Sequence, residues 1–375
     1  SPNPTHFSAS SCCQITLNIS IHLFFMFMQV KTNNKPLSCP ECASKEIKKH
    51  SISKTKLQVI QRYFCKNCRK TFTLKPAESK GKSYPLQLIL QSLSLYSLGN
   101  SQADISEILS KKFEIRIPQK TISNWTKEFK QTTTFSRLRR EAKSEFSPEN
   151  IIESYELLHN NLNYKYQIHN FKLNYLTNNN EKLQRLKIYL EKIPTSDFPH
   201  HIFKPNYNTE QKLDRSSQVK FETLNINPLR KQNLANKLCQ LALNLARTNR
   251  ERHQAVQDFF ITNDSTTIAT EIPVYLTHDD LLYFNANNFS LNPEVFKTPV
   301  TGHIDILQIR NNLIHILDYK PEASRINPTH QLTVYALALA SRTKLPLTSF
   351  KAAWFDESNY YEFFPLHSVF IKKEK

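Results

Sequence analysis

Two runs of mostly branched apolar residues, 302–310 (GHIDILQIR) and 313–320 (LIHILDYK), are separated only by Asn311 and Asn312. Runs of this length and type form strands, and Asn-Asn tolerates the positive dihedral angles of a two-residue hairpin turn. The turn fixes the register. Pairing Arg310 with Leu313 sets Asp305 directly opposite Asp318, with β-carbons about 4.5 to 5.5 Å apart on one face. Lys320, two residues further on, projects from that same face. Strands so continuously apolar are expected to be buried, and two buried carboxylates at this separation repel each other unless a cation lies between them. Oxygen ligands of this kind suit Mg²⁺ or Mn²⁺ better than zinc. Such an ion polarises a phosphate and lowers the pKa of a water, while Lys320 stabilises developing charge. The expected chemistry is therefore phosphodiester hydrolysis.

Composition agrees with a polyanionic substrate. The 375 residues carry a formal charge of +18, and each Lys or Arg beside a phosphate releases condensed counterions. Basicity alone does not separate nucleic acid from an anionic membrane, but no membrane partner is expected: the one long apolar stretch, residues 15–30, is broken by polar residues and falls short of the ~20 needed to span. It does not read as a signal peptide either, because no Lys or Arg precedes it. The only methionines, Met26 and Met28, make translation expected to start there, with residues 1–35 an upstream read-through or leader. The length implies several structural units.

Of seven cysteines, four form two Cys-x-x-Cys pairs, Cys39/Cys42 and Cys65/Cys68. That spacing points both thiolates of a pair at one tetrahedral ion, so residues 36–75 read as a zinc ribbon with a closed, structural site. An odd cysteine count with paired knuckles also fits a reducing, cytoplasmic compartment better than a secreted disulfide framework. Residues 57–64 (LQVIQRYF) alternate as a strand leading into the second knuckle should. So small a unit has almost no core, and the ion would supply its folding free energy.

Residues 82–135 read as a helix-turn-helix. Pro85 opens a helix that stops at Gly99; Ser101 and Asp104 start a second, with Ile105, Ile108 and Leu109 inward; Pro118 opens a third through Ile122, Trp125 and Phe129. Lys120, Ser123, Asn124 and Lys127 are left on the outer face of the third helix, where such side chains can contact base edges or phosphates. Residues 149–204 are expected to be helical: Tyr155, Leu158, Leu162, Tyr166, His169, Leu173 and Leu176 recur at three and four. Such a stripe fits packing within the chain or a dimerising coiled coil, so a homodimer stays open. A second helix is expected over 181–193. His200 and His201 lack a nearby Cys or acid to complete a metal set. Residues 205–224 read as a linker, and 225–375 as a domain opening on a long helix over 233–260.

Three resemblances attach to these residues. The string 62–73 (RYFCKNCRKTFT) resembles the zinc ribbon of insertion-sequence transposases, and 121–129 (TISNWTKEF) resembles their helix-turn-helix. Asp305 with Asp318-x-Lys320 resembles the PD-(D/E)XK nuclease superfamily, and the likeness spans most of the C-terminal domain. Further matches point to its RecB-like branch. That resemblance implies an α/β restriction-endonuclease-like fold and a helical His joining the two acids as metal ligand, matched by His253. It also implies a supporting acid on the first strand, matched by Glu271, and a Gln-x-x-x-Tyr motif matched by Gln331 and Tyr335 on the following helix. Ile304 stands where the superfamily's name has Pro. Many members carry a cysteine-bound iron-sulfur cluster; with only Cys239 beyond Cys68, none is expected here. The chain as a whole is expected to be a Mg- or Mn-dependent deoxyribonuclease directed to DNA by its N-terminal modules, serving a mobile element, recombination or defence. The alternative is a non-enzymatic DNA-binding regulator with a vestigial nuclease fold. A transposase is disfavoured because its chemistry usually needs three acids on a ribonuclease-H-like fold, and no such trio can be placed.

Overall fold

The computed structural model describes residues 38–54, 57, 59–73, 82–204, 215–217, 222–295 and 298–371. The expected leader, and all but 215–217 and 222–224 of the expected linker, lie outside the described residues. The chain divides into two compact units, Ser1–Lys80 and Gly81–Lys375.

The first unit holds a three-stranded antiparallel sheet of β1 (Ile47–Lys54), β2 (Val59–Cys65) and β3 (Thr71–Thr73) in the order β1-β2-β3. β2 ends on Cys65, so the sheet itself delivers the second knuckle.

The second unit opens with three helices, α1 (Leu86–Ser97), α2 (Gln102–Phe113) and α3 (Gln119–Glu128). Gly99 ends the first at φ +109°, and Ser101 and Asp104 form the capping box of the second. Leu88, Ile89, Leu93, Ile105, Leu109, Ile122, Trp125 and Phe129 are buried. Ile108 is not: it is exposed, because Ile105 and Leu109 already fill the inward stripe of a helix this short. α4 (Arg139–Glu145) follows, and Arg139 donates to the carbonyls of Tyr96, Gly99 and Asn100 at the end of α1.

The expected helix over 155–176 is corrected. Residues 152–169 form a hairpin of β4 (Ile152–His159) and β5 (Leu162–His169), and only then comes a short α5 (Asn170–Thr177) before α6 (Glu181–Lys192). Asn160 and Asn161, at φ +51° and +60°, make the turn. The helical spacing arises because apolar positions mirror each other across it; Tyr155, for instance, pairs with Tyr166.

After β6 (Leu229–Arg230), the expected long helix is two: α7 (Leu234–Ala242) and α8 (Arg252–Asn263). The break has a local cause. The Asn244 side chain donates to the carbonyls of Gln240 and Leu241, and Glu251 accepts from the Arg247 amide, so side chains replace the continuing ladder. The remaining elements are β7 (Thr267–Leu276), α9 (His278–Ala286), β8 (Val300–Arg310), β9 (Leu313–Tyr319), α10 (Thr329–Thr343), β10 (Phe350–Phe355) and β11 (Tyr360–Phe363).

One eight-stranded sheet in the order β4-β5-β7-β8-β9-β10-β11-β6 organises the unit. β8 runs antiparallel to both β7 and β9, while β9 and β10 are parallel, with α10 as the crossover. The largest core joins this sheet to α10 and α6 through residues such as Ile272, Leu307, Ile316, Leu332, Leu339 and Leu186. Among the described residues no helix is long and apolar enough to cross a membrane.

Candidate functional site

Asn311 and Asn312, at φ +51° and +60°, turn β8 into β9, and the ladder runs from Arg310↔Leu313 to Ile306↔Leu317. This is the register read from the sequence, and its next step faces Asp305 with Asp318. There the pleat is disturbed. Val300, Ile304, Leu307 and Ile309 of β8 share a core with α10, and Gly302 abuts Tyr335 of that helix. The inward positions thus step by two as far as Ile304 and then by three to Leu307, slipping at Asp305. Across β7, Ile304 pairs with Ile272 and Ile306 with Thr270, so Glu271 stands opposite Asp305. Glu271 has φ +52°, a conformation costly for a residue with a Cβ and concentrated at functional sites. The three acids are therefore neighbours across β7, β8 and β9, where the inward positions of β8 slip and Glu271 leaves the β region.

Their surroundings raise all three carboxyl pKa values. Asp318 is 2% exposed; burial first, and the nearby Asp305 second, push it up to about 7. Burial and then Glu271 carry Asp305 to about 7. Glu271 also reaches about 7 through burial, against the pull of the Gln257 amide that donates to it at 2.7 Å. Asp305 accepts the Tyr319 backbone N–H at 2.9 Å. Lys320 Nζ pairs with Asp318 at 2.7 Å. Burial works against the lysine's charge, but Asp318 and Asp305 outweigh it and hold Lys320 above its ordinary value.

His253 lies on α8 with its Nε2 3.1 Å from the Tyr319 carbonyl and its ring edge-on to Tyr319. Burial lowers its pKa, with Asp318 pulling the other way. Gln331 and Tyr335 sit one turn apart on α10, the amide donating to the phenol at 2.8 Å. Gly302 makes room for them, since a Cβ there would lie 2.4 Å from a Tyr335 ring carbon. These side chains surround the acids without drawing all ligand atoms to one point. Among the described residues, the group of three or more His, Cys, Asp or Glu ligand atoms within 4.8 Å of one another is the cysteine quartet. Gln257, which positions Glu271, was not singled out from the sequence; its spacing of four from His253 on one helix face is the signal that could have found it.

The quartet is Cys39, Cys42, Cys65 and Cys68. Cys39 and Cys68 sulfurs lie 3.6 Å apart, as do those of Cys42 and Cys65. A tetrahedral zinc with bonds of about 2.3 Å needs sulfur–sulfur edges of about 3.8 Å, so the four residues fit a zinc ion. The backbone N–H of Cys68 leads the interactions that lower the Cys65 thiol to about 6, while, against the pull of the Lys70 N–H, burial and the three neighbouring sulfurs raise the Cys68 thiol to about 12.

On α3, Lys120, Asn124 and Lys127 are exposed and Ser123 is partly so. His200, which sequence left without partners, lies 3.5 Å from His159, itself 2.9 Å from His303. Comparison of the chain with family models, curated proteins and solved structures returned no match.

Proposed function

We propose that the chain is a divalent-metal-dependent deoxyribonuclease that hydrolyses phosphodiester bonds, with α1–α3 as a DNA-reading helix-turn-helix and the cysteine unit as a structural zinc ribbon. The observation that carries this reading is the acid cluster. Three carboxyls, Glu271, Asp305 and Asp318, face one ion-paired ammonium, Lys320, inside a strongly basic chain. Buried carboxylates in excess of their counter-charges favour a cation. The order of the elements supports the same reading: His253 on the helix just ahead of β7, Glu271 on β7, the two aspartates on β8 and β9, and the Gln-Tyr pair on the helix that follows.

Asp305, Asp318 and His253 would hold Mg²⁺ or Mn²⁺, which supplies Lewis acidity toward a scissile phosphate. Lys320 places positive charge beside Asp318, where it can stabilise charge developing on a phosphate oxygen. Glu271, titrating near neutrality, is suited to take up a proton within the site. Gln331 holds the Tyr335 hydroxyl, bracing the wall behind Gly302.

Cleavage of labelled single-stranded, duplex and branched DNA with Mg²⁺ or Mn²⁺ tests the proposal, beside Asp318→Ala and Lys320→Ala. Metal-dependent cleavage lost in both variants is the expected result. A non-enzymatic DNA-binding regulator is the second reading, favoured by the engagement of His253 Nε2 with the Tyr319 carbonyl. DNA binding without cleavage, where a control nuclease cuts, would decide for it.

A further inference from the structure

The helices α1–α3 are not tethered to the acid-bearing sheet by a flexible chain; they are bonded to α8. Ser97 donates to the Asn263 side chain at 3.0 Å, and Asn263 donates to Ser94 at 3.1 Å. Just beyond, Thr134 donates to Asp264 and accepts from the Ser265 amide. Lys172, fully buried, donates to the carbonyls of Ile261 and Asp264 at the end of α8 and lies over the Phe135 ring. Residues 152–169, between these helices and α8 in sequence, are strands of the same sheet. These are directional contacts, buried or partly so, that fix orientation as well as proximity.

At its other end α8 meets the site. Its start carries His253, and Gln257 holds Glu271. Near that start lies a run of cations. Lys112, in the last turn of α2, is near enough to Arg247 for their like charges to oppose each other. Arg247 and Arg250 lie exposed on the α7–α8 connection, and Arg252, paired with Glu357 at 3.9 Å, opens α8 with its guanidinium over Tyr319, whose amide bonds Asp305. Among the described residues, neither Lys112, Arg247 nor Arg250 takes part in an ion pair. Like charges gathered this way are repulsive on their own and favourable against a polyanion.

We propose that one DNA duplex follows this run from α3 past Lys112, Arg247, Arg250 and Arg252 to the acids, so that the backbone is cut at a fixed distance from the sequence α3 contacts. This rests on the nuclease reading above and adds the substrate's path and the rule for where it is cut. The scale is set by α8, whose 12 residues span about 18 Å at ~1.5 Å each, so the offset should fall within about one turn of duplex.

Two measurements test it. In an Asp318→Asn background without added Mg²⁺ or Mn²⁺, binding of a fluorescein-labelled mixed-sequence duplex is followed by anisotropy across a salt series, with and without Arg247→Glu/Arg250→Glu. Loss of about tenfold in affinity and a salt slope shallower by about two is expected; unchanged affinity and slope, with an unchanged melting temperature, overturns the path. If the double variant does not fold, Arg247→Gln is measured instead, with a slope shallower by about one expected and an unchanged slope overturning the path. In the second, a pool of random duplexes is cut by the full-length protein with Mn²⁺ and both ends are sequenced. Base preference at one constant distance from the cut is expected, and preference at scattered distances, or none, overturns the fixed offset. If nothing is cut while the binding effect holds, the nuclease reading and the offset fall together and the duplex path stands.

Discussion

Replacing Asp318 by Asn should make the protein more stable at pH 8 while removing its response to divalent metal. Asp318 is buried beside a second acid, and its pKa moves from an ordinary 3.8 to about 7. Between those values the folded chain holds a proton that the unfolded chain has released. The stability this contributes is complete below about 4 and is lost as pH rises through 7. At about 1.36 kcal/mol per pH unit, the ionised carboxylate costs the fold about 4 kcal/mol by pH 8. Asn keeps the shape and removes the charge, but leaves Lys320 without its partner at 2.7 Å. Allowing roughly 1 to 2 kcal/mol for that loss, the net gain should be about 2 to 3 kcal/mol at pH 8, shrinking toward zero by pH 5.

Urea unfolding at both pH values measures the gain, and repeating it with Mn²⁺ completes the test. Wild type should gain about 2.7 kcal/mol at a hundred times the dissociation constant; Asp318→Asn should gain nothing from the site. Destabilisation of the variant by the same amount at pH 5 and pH 8 would refute the charge argument. Equal stabilisation of both proteins by Mn²⁺ would refute the assignment of Asp318 as a ligand.

Three further outcomes are expected. Cys65→Ser, or chelation of zinc, should unfold residues 38–73, since structural zinc supplies on the order of 10 kcal/mol; metal content and limited proteolysis would show it, and an intact fragment without zinc would contradict it. Gly302→Ala, driving a Cβ to 2.4 Å from the Tyr335 ring and 2.6 Å from Ser216 Oγ, should cost about 1 to 3 kcal/mol by denaturant melt, and no loss would mean that α10 yields at no expense. Lys172, whose pKa burial lowers from 10.5 to about 7, binds fewer protons folded than unfolded across that range, so stability should rise with pH through it; Lys172→Met should flatten that rise, and an unchanged slope would place its origin elsewhere.

The hairpin of residues 302–320 was legible because its turn, alternation and length all agree, and the register followed from counting. The hairpin of residues 152–169 carries the same Asn-Asn turn, yet its mirrored apolar positions imitate a helical period. There the dipeptide outranked the periodicity. The break between α7 and α8 depends on side chains capping carbonyls, a competition that apolar spacing does not register. The three-helix unit and the cysteine knuckles were read from caps and spacing, which act locally. The bonds between Asn263 and α1 join residues more than 160 positions apart, and no local pattern announces them. The slip at Asp305 and the left-handed backbone of Glu271 are likewise products of three strands meeting.

That meeting point gathers several costs. An ionised Asp318 costs about 4 kcal/mol at high pH, and a non-glycine residue held at φ +52° costs roughly 1 to 3 kcal/mol. Net stabilities of folded domains are only about 5 to 15 kcal/mol, so together these costs are a large fraction of what holds a domain folded. Isoleucine at 305 and 318, the residue that fills the neighbouring positions 304, 306, 314 and 316, would remove the charge cost without shortening either strand. The surrounding structure instead supports the acids: Gln257 holds Glu271, the Tyr319 amide holds Asp305, and Lys320 covers one oxygen of Asp318. Support of this kind fixes the carboxyls in place without neutralising them. A bound cation would relieve the repulsion, and that is why the acid cluster, more than any other feature of the fold, carries the functional proposal.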